Sequence, residues 1–269
     1  MWEKEKASFG VLILTINNNI ERVKRDLLPQ LSKVEEIVIS HQIFDNKTKP
    51  SKFTDKRIKY IVSYEPGVAK NRNIAIKEST SDIVHICWDD ISYVDWFQKK
   101  ILSTYKDTPN MWIISFQAQD PDSGENIINV WKWRHNFRTI LSTKSCGMTY
   151  NMKVLKTLWL IFDERFGLGT QHPTWEETIY FSDFLKSWWK ARHVDAPIVY
   201  HSRDTSGSNF SNTKLIGSRI QVFHRMFWFL GAVFAWVYLW IRDYKSYKQH
   251  ISLSTYISLN ISNIFYKKY

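Results

Sequence analysis

Short apolar runs alternate with stretches of helical periodicity up to His201, and this alternation constrains the fold more than any other feature of the chain. Residues 11–15 (V-L-I-L-T) are strand-like, residues 20–31 space their apolar side chains as a helix does, and residues 36–40 (E-I-V-I-S) are strand-like again. That order reads β-α-β. A lysine-rich loop over 44–56 leads to a strand over 58–63, a helix over 69–78, an apolar run over 82–88, a helix over 95–105 and a strand over 111–118. The turn-rich P-D-S-G-E at 121–125 predicts a hairpin connection into a strand over 127–133. A strand over 145–150, helices over 152–159 and 174–189 and a strand over 193–201 follow. Strands interleaved with helices predict an α/β fold with a mixed, mainly parallel sheet flanked by helices.

Open parallel sheets bind ligands at the carboxyl ends of their strands, so the residues there are the first candidates for chemistry. The first strand ends in T-I-N-N, with Thr15 and Asn17, and the second runs into S-H-Q-I-F-D, with Ser40 and Gln42. After the third comes P-G-V-A-K-N-R-N, in which Gly67 permits a tight turn and Lys70 and Arg72 stand at the start of a helix. Free backbone N–H groups at such a start favour an anion, so two cations there suit a diphosphate, although a solvated basic turn has the same composition. The fourth strand ends in W-D-D, and Asp89 and Asp90 offer hard oxygen ligands of the kind Mg2+ or Mn2+ takes together with substrate phosphates. The same acids would serve as a helix cap. Glu176 and Glu177 suit the first turn of a helix on dipole grounds alone. His201 ends a strand, and Arg203 opens a Ser- and Gly-rich loop over 204–213 able to close over a diphosphate.

The order and spacing of V-L-I-L-T-I-N-N, G-V-A-K-N-R-N-I-A-I, D-I-V-H-I-C-W-D-D-I, F-D-E-R-F-G-L-G and W-E-E-T resemble glycosyltransferase family 2 over residues 9–205. The resemblance implies the Rossmann-like GT-A fold and an inverting transfer of sugar from a nucleotide-sugar donor, UDP-linked by analogy. It further implies a lipid-linked oligosaccharide acceptor of bacterial capsule or exopolysaccharide synthesis. The family's D-x-D motif falls on Trp88, Asp89 and Asp90, so Trp88 replaces the first acid, Asp89 remains for the donor and Asp90 is the metal contact. F-D-E-R-F-G-L-G matches the turn before the acceptor site, and W-E-E-T matches the family's E-D motif, whose second acid is the catalytic base. That acid is Glu177, with Glu176 beside it, and Trp175 stands where glycine is frequent. His201 is a candidate further metal ligand by the same analogy. Two other readings stay open, a catalytically silent GT-A-like assembly partner and a basic nucleic-acid-binding protein. The second leaves the ordered acids unexplained, so the expectation is no nucleic acid.

Composition sets the remaining expectations. The net charge is +11, and from Lys214 to Tyr269 eight Lys or Arg stand against the single acid Asp243, so this segment carries +7 of it together with 14 of the 42 aromatic residues. Residues 226–241 carry no charge and are bracketed by Arg225 and Arg242. As a helix they would span about 24 Å, short of the roughly 30 Å of a bilayer core, so shallow insertion into an anionic surface is expected, with a core or homodimer-interface helix as the alternative. Alternation over 251–261 (I-S-L-S-T-Y-I-S-L-N-I) predicts a strand. The domain expectation is a core over 1–205 and a basic, aromatic-rich extension over 206–269. Cys87 and Cys146 lack metal-ligand spacing, and the charged start M-W-E-K-E-K lacks the apolar stretch of a signal peptide. The expected location is the cytoplasm, peripherally attached to the inner face of the cell membrane.

Overall fold

The computed structural model describes residues 7–130, 133–188, 190–203 and 213–265. Strands β1 (Phe9–Ile16), β2 (Glu36–Gln42) and β3 (Ile58–Ser63) are laid down in parallel, each next to the last. Between β1 and β2 the chain winds through a short 3-10 turn, α1 (Ile20–Arg22), a π-helical stretch and a second 3-10 turn containing Pro29, so the helix expected over 20–31 is irregular. Helix α2 (Val68–Glu78) then carries the chain back across the sheet to β4 (Ile83–Trp88), which pairs in parallel with the opposite side of β1. The direction of strand addition thus reverses between β1 and β4. A crevice at their carboxyl ends follows from that reversal.

After β5 (Ser92–Tyr93), α3 (Phe97–Asp107) and β6 (Ile113–Gln119), the chain makes β7 (Met148–Asn151), antiparallel to β4 and β6. Helices α4 (Met152–Thr157) and α5 (Glu176–Lys186) precede β8 (Ala191–Tyr200), parallel to β6. The mixed eight-stranded sheet has the order β3-β2-β1-β4-β7-β6-β8-β5. The hairpin at 121–125 closes with a single bridge between Gln119 and Asn126, and no strand forms over the described part of 127–133. There the Gln117 amide replaces a ladder rung: its Oε1 accepts from the Ile128 N–H at 2.9 Å and its Nε2 donates to the Ile128 carbonyl at 3.0 Å.

Side chains alternate between two cores. Phe9, Val11 and Ile13 of β1 pack with Val23 and Leu27 and with Phe97 and Ile101 of α3 on one face. Leu12 and Leu14 pack with Val68 and Ala75 of α2 and with Ile179 and Phe184 of α5 on the other. Burial on both faces explains why β1 reads as a continuous apolar run.

The C-terminal segment differs from expectation in two respects. Helix α6 (Thr213–Tyr247) is broken at Trp228, whose φ of 66° and ψ of −164° are not helical, so residues 226–241 are not one straight helix. Before the break Ile220, Val222, Phe223 and Met226 are buried, Val222 and Met226 within the second core. Arg225 there bonds Asp163 at 3.0 Å and Asp183 at 2.7 Å. After the break Trp228, Phe234, Val237, Tyr238 and Ile241 are exposed. Among the described residues no helix is long and apolar enough to cross a membrane. The strand expected over 251–261 is instead helix α7 (Leu253–Phe265). Its buried side chains, Tyr256 and Asn260, are four residues apart, and Tyr256 packs on Tyr244 and Tyr247 of α6. Ser258, which a strand would place on the same face as Tyr256 and Asn260, is exposed, so the burial follows a helix and not the alternation.

Candidate active site

Two groups of polar side chains gather at the carboxyl edge of the sheet. The first lies in the β1/β4 crevice. Thr15 and Asp89, 74 residues apart, meet where the strands end: the Thr15 hydroxyl donates to Asp89 Oδ2 at 2.6 Å, and both are buried. Burial raises the Asp89 pKa against the pull of Thr15. Asp90 turns outward, its side chain 43% exposed, with Oδ2 3.6 Å from His201 Nε2. Burial works against the Asp90 carboxylate, but His201, Arg22 and its own backbone N–H together hold its pKa below the ordinary value. His201 Nδ1 donates to the Ser202 carbonyl at 2.6 Å. Its Nε2 and the Asp90 carboxylate face one another, two groups of the kind that ligate a divalent cation. No group of three or more His, Cys, Asp or Glu able to hold a metal occurs among the described residues.

The second group joins α2 to α5. Trp175 precedes Glu176 in the left-handed conformation (φ 57°), a backbone region that favours glycine. Its ring rests beside Phe223 and the Arg219 guanidinium of α6, 5.2 Å from the latter. Glu176 Oε1 accepts from Arg72 Nη1 at 2.5 Å, and Glu177 Oε2 is 3.8 Å from the same nitrogen. Burial and the neighbouring Glu176 push the Glu177 pKa up to about 8, with Arg72 opposing them. The F-D-E-R-F-G-L-G segment packs this arrangement tightly. Asn73 of α2 bonds both the N–H and the carbonyl of Phe162, and the Val68 N–H donates to the Leu168 carbonyl. A Cβ on Gly167 (φ +98°) would lie 2.3 Å from Val68 and 2.9 Å from the Glu176 carboxyl carbon, so no other residue fits there undistorted.

Both groups bear on one buried sulfur. Burial pushes the Cys146 thiol up to about 12; Lys144 opposes this, while Asp90 and Glu177 each add to it. Asp90 and Glu177 are thus both within electrostatic reach of the short turn that leads into β7.

The other expected site residues are placed as follows. Gln42 donates to the carbonyls of Glu65 and Gly67 at 2.7 and 3.1 Å and so shapes the turn before α2. Asn17 (φ 44°) accepts from the N–H groups of Phe44 and Asp45 and sits beside His41, whose Nε2 meets its carbonyl. Ser40 is buried with its hydroxyl unbonded among the described residues. Lys70 pairs with Glu65. Arg203 pairs with Glu125, and the expected loop over 204–213 lies, but for Thr213, outside the described residues. The structure thus brings together Thr15, Asp89, Asp90 and His201, and separately Arg72, Glu176 and Glu177. Sequence reasoning missed Asn73, Phe162 and Tyr150 around the acid pair; Asn73 and Phe162 stand inside motifs that were read, but nothing local marks their partners.

No family model and no curated protein matches the sequence. Solved structures do. TarS from S. aureus (residues 1–349) superposes with a TM-score of 0.65 at 11% identity, over 96% of this chain and 81% of that one. Its complex with UDP-GlcNAc gives 0.63 at 13% identity, with 96% and 81% covered. The mannosyltransferase PcManGT from Pyrobaculum calidifontis, in complex with GDP-Man and Mn2+, gives 0.60 at 12% identity over 98% and 89%. The fold is that of the GT-A glycosyltransferases. Within that fold Trp88, which stands at the first position of the D-x-D triplet, packs into the second core beside the sheet.

Proposed function

We propose that the protein is an inverting glycosyltransferase that moves a sugar from a nucleotide-sugar donor, UDP-linked, to a hydroxyl of a lipid-linked oligosaccharide in capsule or exopolysaccharide synthesis. The observation that carries the reading is the presence of two separate acid groups: Asp90 with His201 after β4, and Glu177 with Glu176 and Arg72 at the start of α5. Two GT-A structures that hold UDP-GlcNAc or GDP-Man support the donor class. Glu177 takes the proton of the acceptor hydroxyl as its oxygen attacks the anomeric carbon from the face opposite the leaving diphosphate. Its raised pKa is near the operating pH, where a general base is most effective. Asp90 and His201 are the residues that would hold Mn2+ or Mg2+, and the cation, when bound, would neutralise charge on the leaving phosphates. Asp89, fixed by Thr15, lines the donor side, and Lys70 stands in the first turn of α2, a helix N-terminus suited to phosphate.

Trp88 favours a second reading, a silent GT-A-like assembly partner. One experiment tests both: purified protein is offered a panel of UDP- and GDP-sugars with Mn2+ and scored for nucleoside diphosphate release. Release is expected, with Asp90→Ala abolishing the metal-stimulated part while the unfolding midpoint stays put. Equal rates for mutant and wild type across a Mn2+ titration would remove Asp90 from the metal site, and silence with every donor would favour the assembly partner.

Peripheral attachment to an anionic membrane is proposed for the second half of α6. The exposed Trp228, Phe234, Val237, Tyr238 and Ile241 support it, together with the +7 charge of the segment from Lys214 onward. Co-sedimentation with phosphatidylglycerol vesicles is expected, only partly reversed by salt and lost in Trp228→Ser/Phe234→Ser. A protein that ignores vesicles and forms dimers abolished by the same pair would make this face a homodimer interface.

A further inference from the structure

We propose that Arg72 is a positioning residue for Glu177 and not a ligand of the donor phosphates. The inference rests on the reading of Glu177 as the base. Arg72 and Lys70 both follow the Gly67 turn, yet the fold separates them. The Lys70 side chain is 34% exposed and pairs with the exposed Glu65, whereas Arg72 is 3% exposed and points into the junction of α2 with α5. There its guanidinium is confined on several sides. Nη1 donates to Glu176 at 2.5 Å and lies 3.8 Å from Glu177. One face lies over the Phe162 ring at 5.0 Å, and Phe162 is itself stacked on Tyr180 of α5, 4.0 Å away and nearly parallel. Reaching a diphosphate would require Arg72 to leave Glu176 as an unpaired buried charge, which protein interiors tolerate poorly.

The arrangement has a consequence for chemistry. Two adjacent carboxylates in one buried helical turn repel, and here burial and Glu176 raise the Glu177 pKa while Arg72 lowers it. Arg72 bonds Glu176 directly, so the two form a neutral unit, and Glu177 is the acid left to accept a proton. The other titratable groups facing the pair are Tyr150 of β7 and the Cys146 thiol, both held neutral by burial. Glu176 and Arg72 are thus the charges that decide whether Glu177 is ionised. Asn73 and Gly167, which fix α2 and α5 to the same loop, set the distance between them.

Three variants of the full chain test the inference: Arg72→Met, Arg72→Lys and the volume-conserving double Arg72→Met/Glu176→Leu. Two readouts apply, UDP and GDP affinity by calorimetry with Mn2+ present, and the pH profile of nucleoside diphosphate release. Expected for Arg72→Met are nucleotide affinities within about twofold of wild type and turnover lower by about 100-fold, the low end for loss of a general base. Its acid limb should move to higher pH. Arg72→Lys should recover part of the rate and return the limb toward wild type. If Arg72→Met does not fold, the double variant, which removes both charges together, carries the test: folded, it should bind nucleotide as wild type does and show its acid limb at lower pH, because Glu176 raises the Glu177 pKa more than Arg72 lowers it. A tenfold loss of nucleotide affinity with an unmoved pH limb would make Arg72 a phosphate ligand. A folded double variant with an unmoved acid limb would reduce the pair to scaffolding. Wild-type protein silent with every sugar nucleotide overturns the base assignment and this inference with it, whereas active wild type with unaltered Arg72 variants overturns the inference alone.

Discussion

Glu177→Gln is expected to lower sugar transfer by about 100- to 10,000-fold, the contribution of a positioned general base, with nucleotide affinity nearly unchanged. Loss of turnover without loss of donor binding marks a group that acts in the transition state. The same substitution has a signature that needs no substrate. Burial and Glu176 raise the folded-state pKa of Glu177 from 4.5 to about 8. Protons therefore bind the folded state more tightly than the unfolded one. The stabilisation from this proton is fully present below about pH 4.5 and is lost as pH rises through about 8. Glutamine carries no titrating proton, so the Tm of Glu177→Gln relative to wild type should climb between pH 5 and pH 9. A Tm difference flat across that range, or turnover within a few-fold of wild type, would remove Glu177 from the role of base. Glu176→Gln should act differently, because it frees Arg72 to pair with Glu177 and so shifts the acid limb of activity to lower pH.

Ending the chain before Ser218 is expected to abolish cooperative folding. The deletion takes Ile220, Val222, Phe223 and Met226 out of the protein, all buried against the core or against the rest of α6. At about 1.5–3 kcal/mol for each large buried side chain, the loss is roughly 6–12 kcal/mol, comparable to the whole stability of a typical domain, about 5–15 kcal/mol. It also removes Arg225 from Asp163 and Asp183, and it strips Trp175, the residue before the acid pair, of Phe223 and Arg219. Ending the chain before Leu253 removes only α7 and leaves the core side chains in place, so that protein should fold with a lower midpoint. Circular dichroism during denaturant titration separates the cases. A protein ending before Ser218 that unfolds cooperatively at the wild-type midpoint would show that this helix contributes nothing to the core.

These expectations divide between what local sequence carries and what it cannot. The runs at β1, β2 and β4 and the helix after Gly67 were legible because burial on both faces of a strand, or on one face of a helix, writes a pattern into neighbouring residues. The acids at the end of β4 and at the start of α5 were legible as positions for the same reason. Residues 251–261 were misread because I-S-L-S-T-Y-I-S-L-N-I satisfies a period of two, and only the contacts of Tyr256 with Tyr244 and Tyr247 choose the helix. The uninterrupted apolar run at 226–241 likewise conceals the break at Trp228. The partnerships inside the site were illegible for a different reason. Thr15 meets Asp89 across 74 residues and Arg72 meets Glu176 across 104. Sequence by itself determined which segments become strands and helices and which charged residues stand at their ends, because those depend on neighbours within a few positions. Tertiary structure alone decided that Arg72 serves an acid and Lys70 faces outward, because a charge takes its meaning from the partner that chain closure brings within hydrogen-bonding distance.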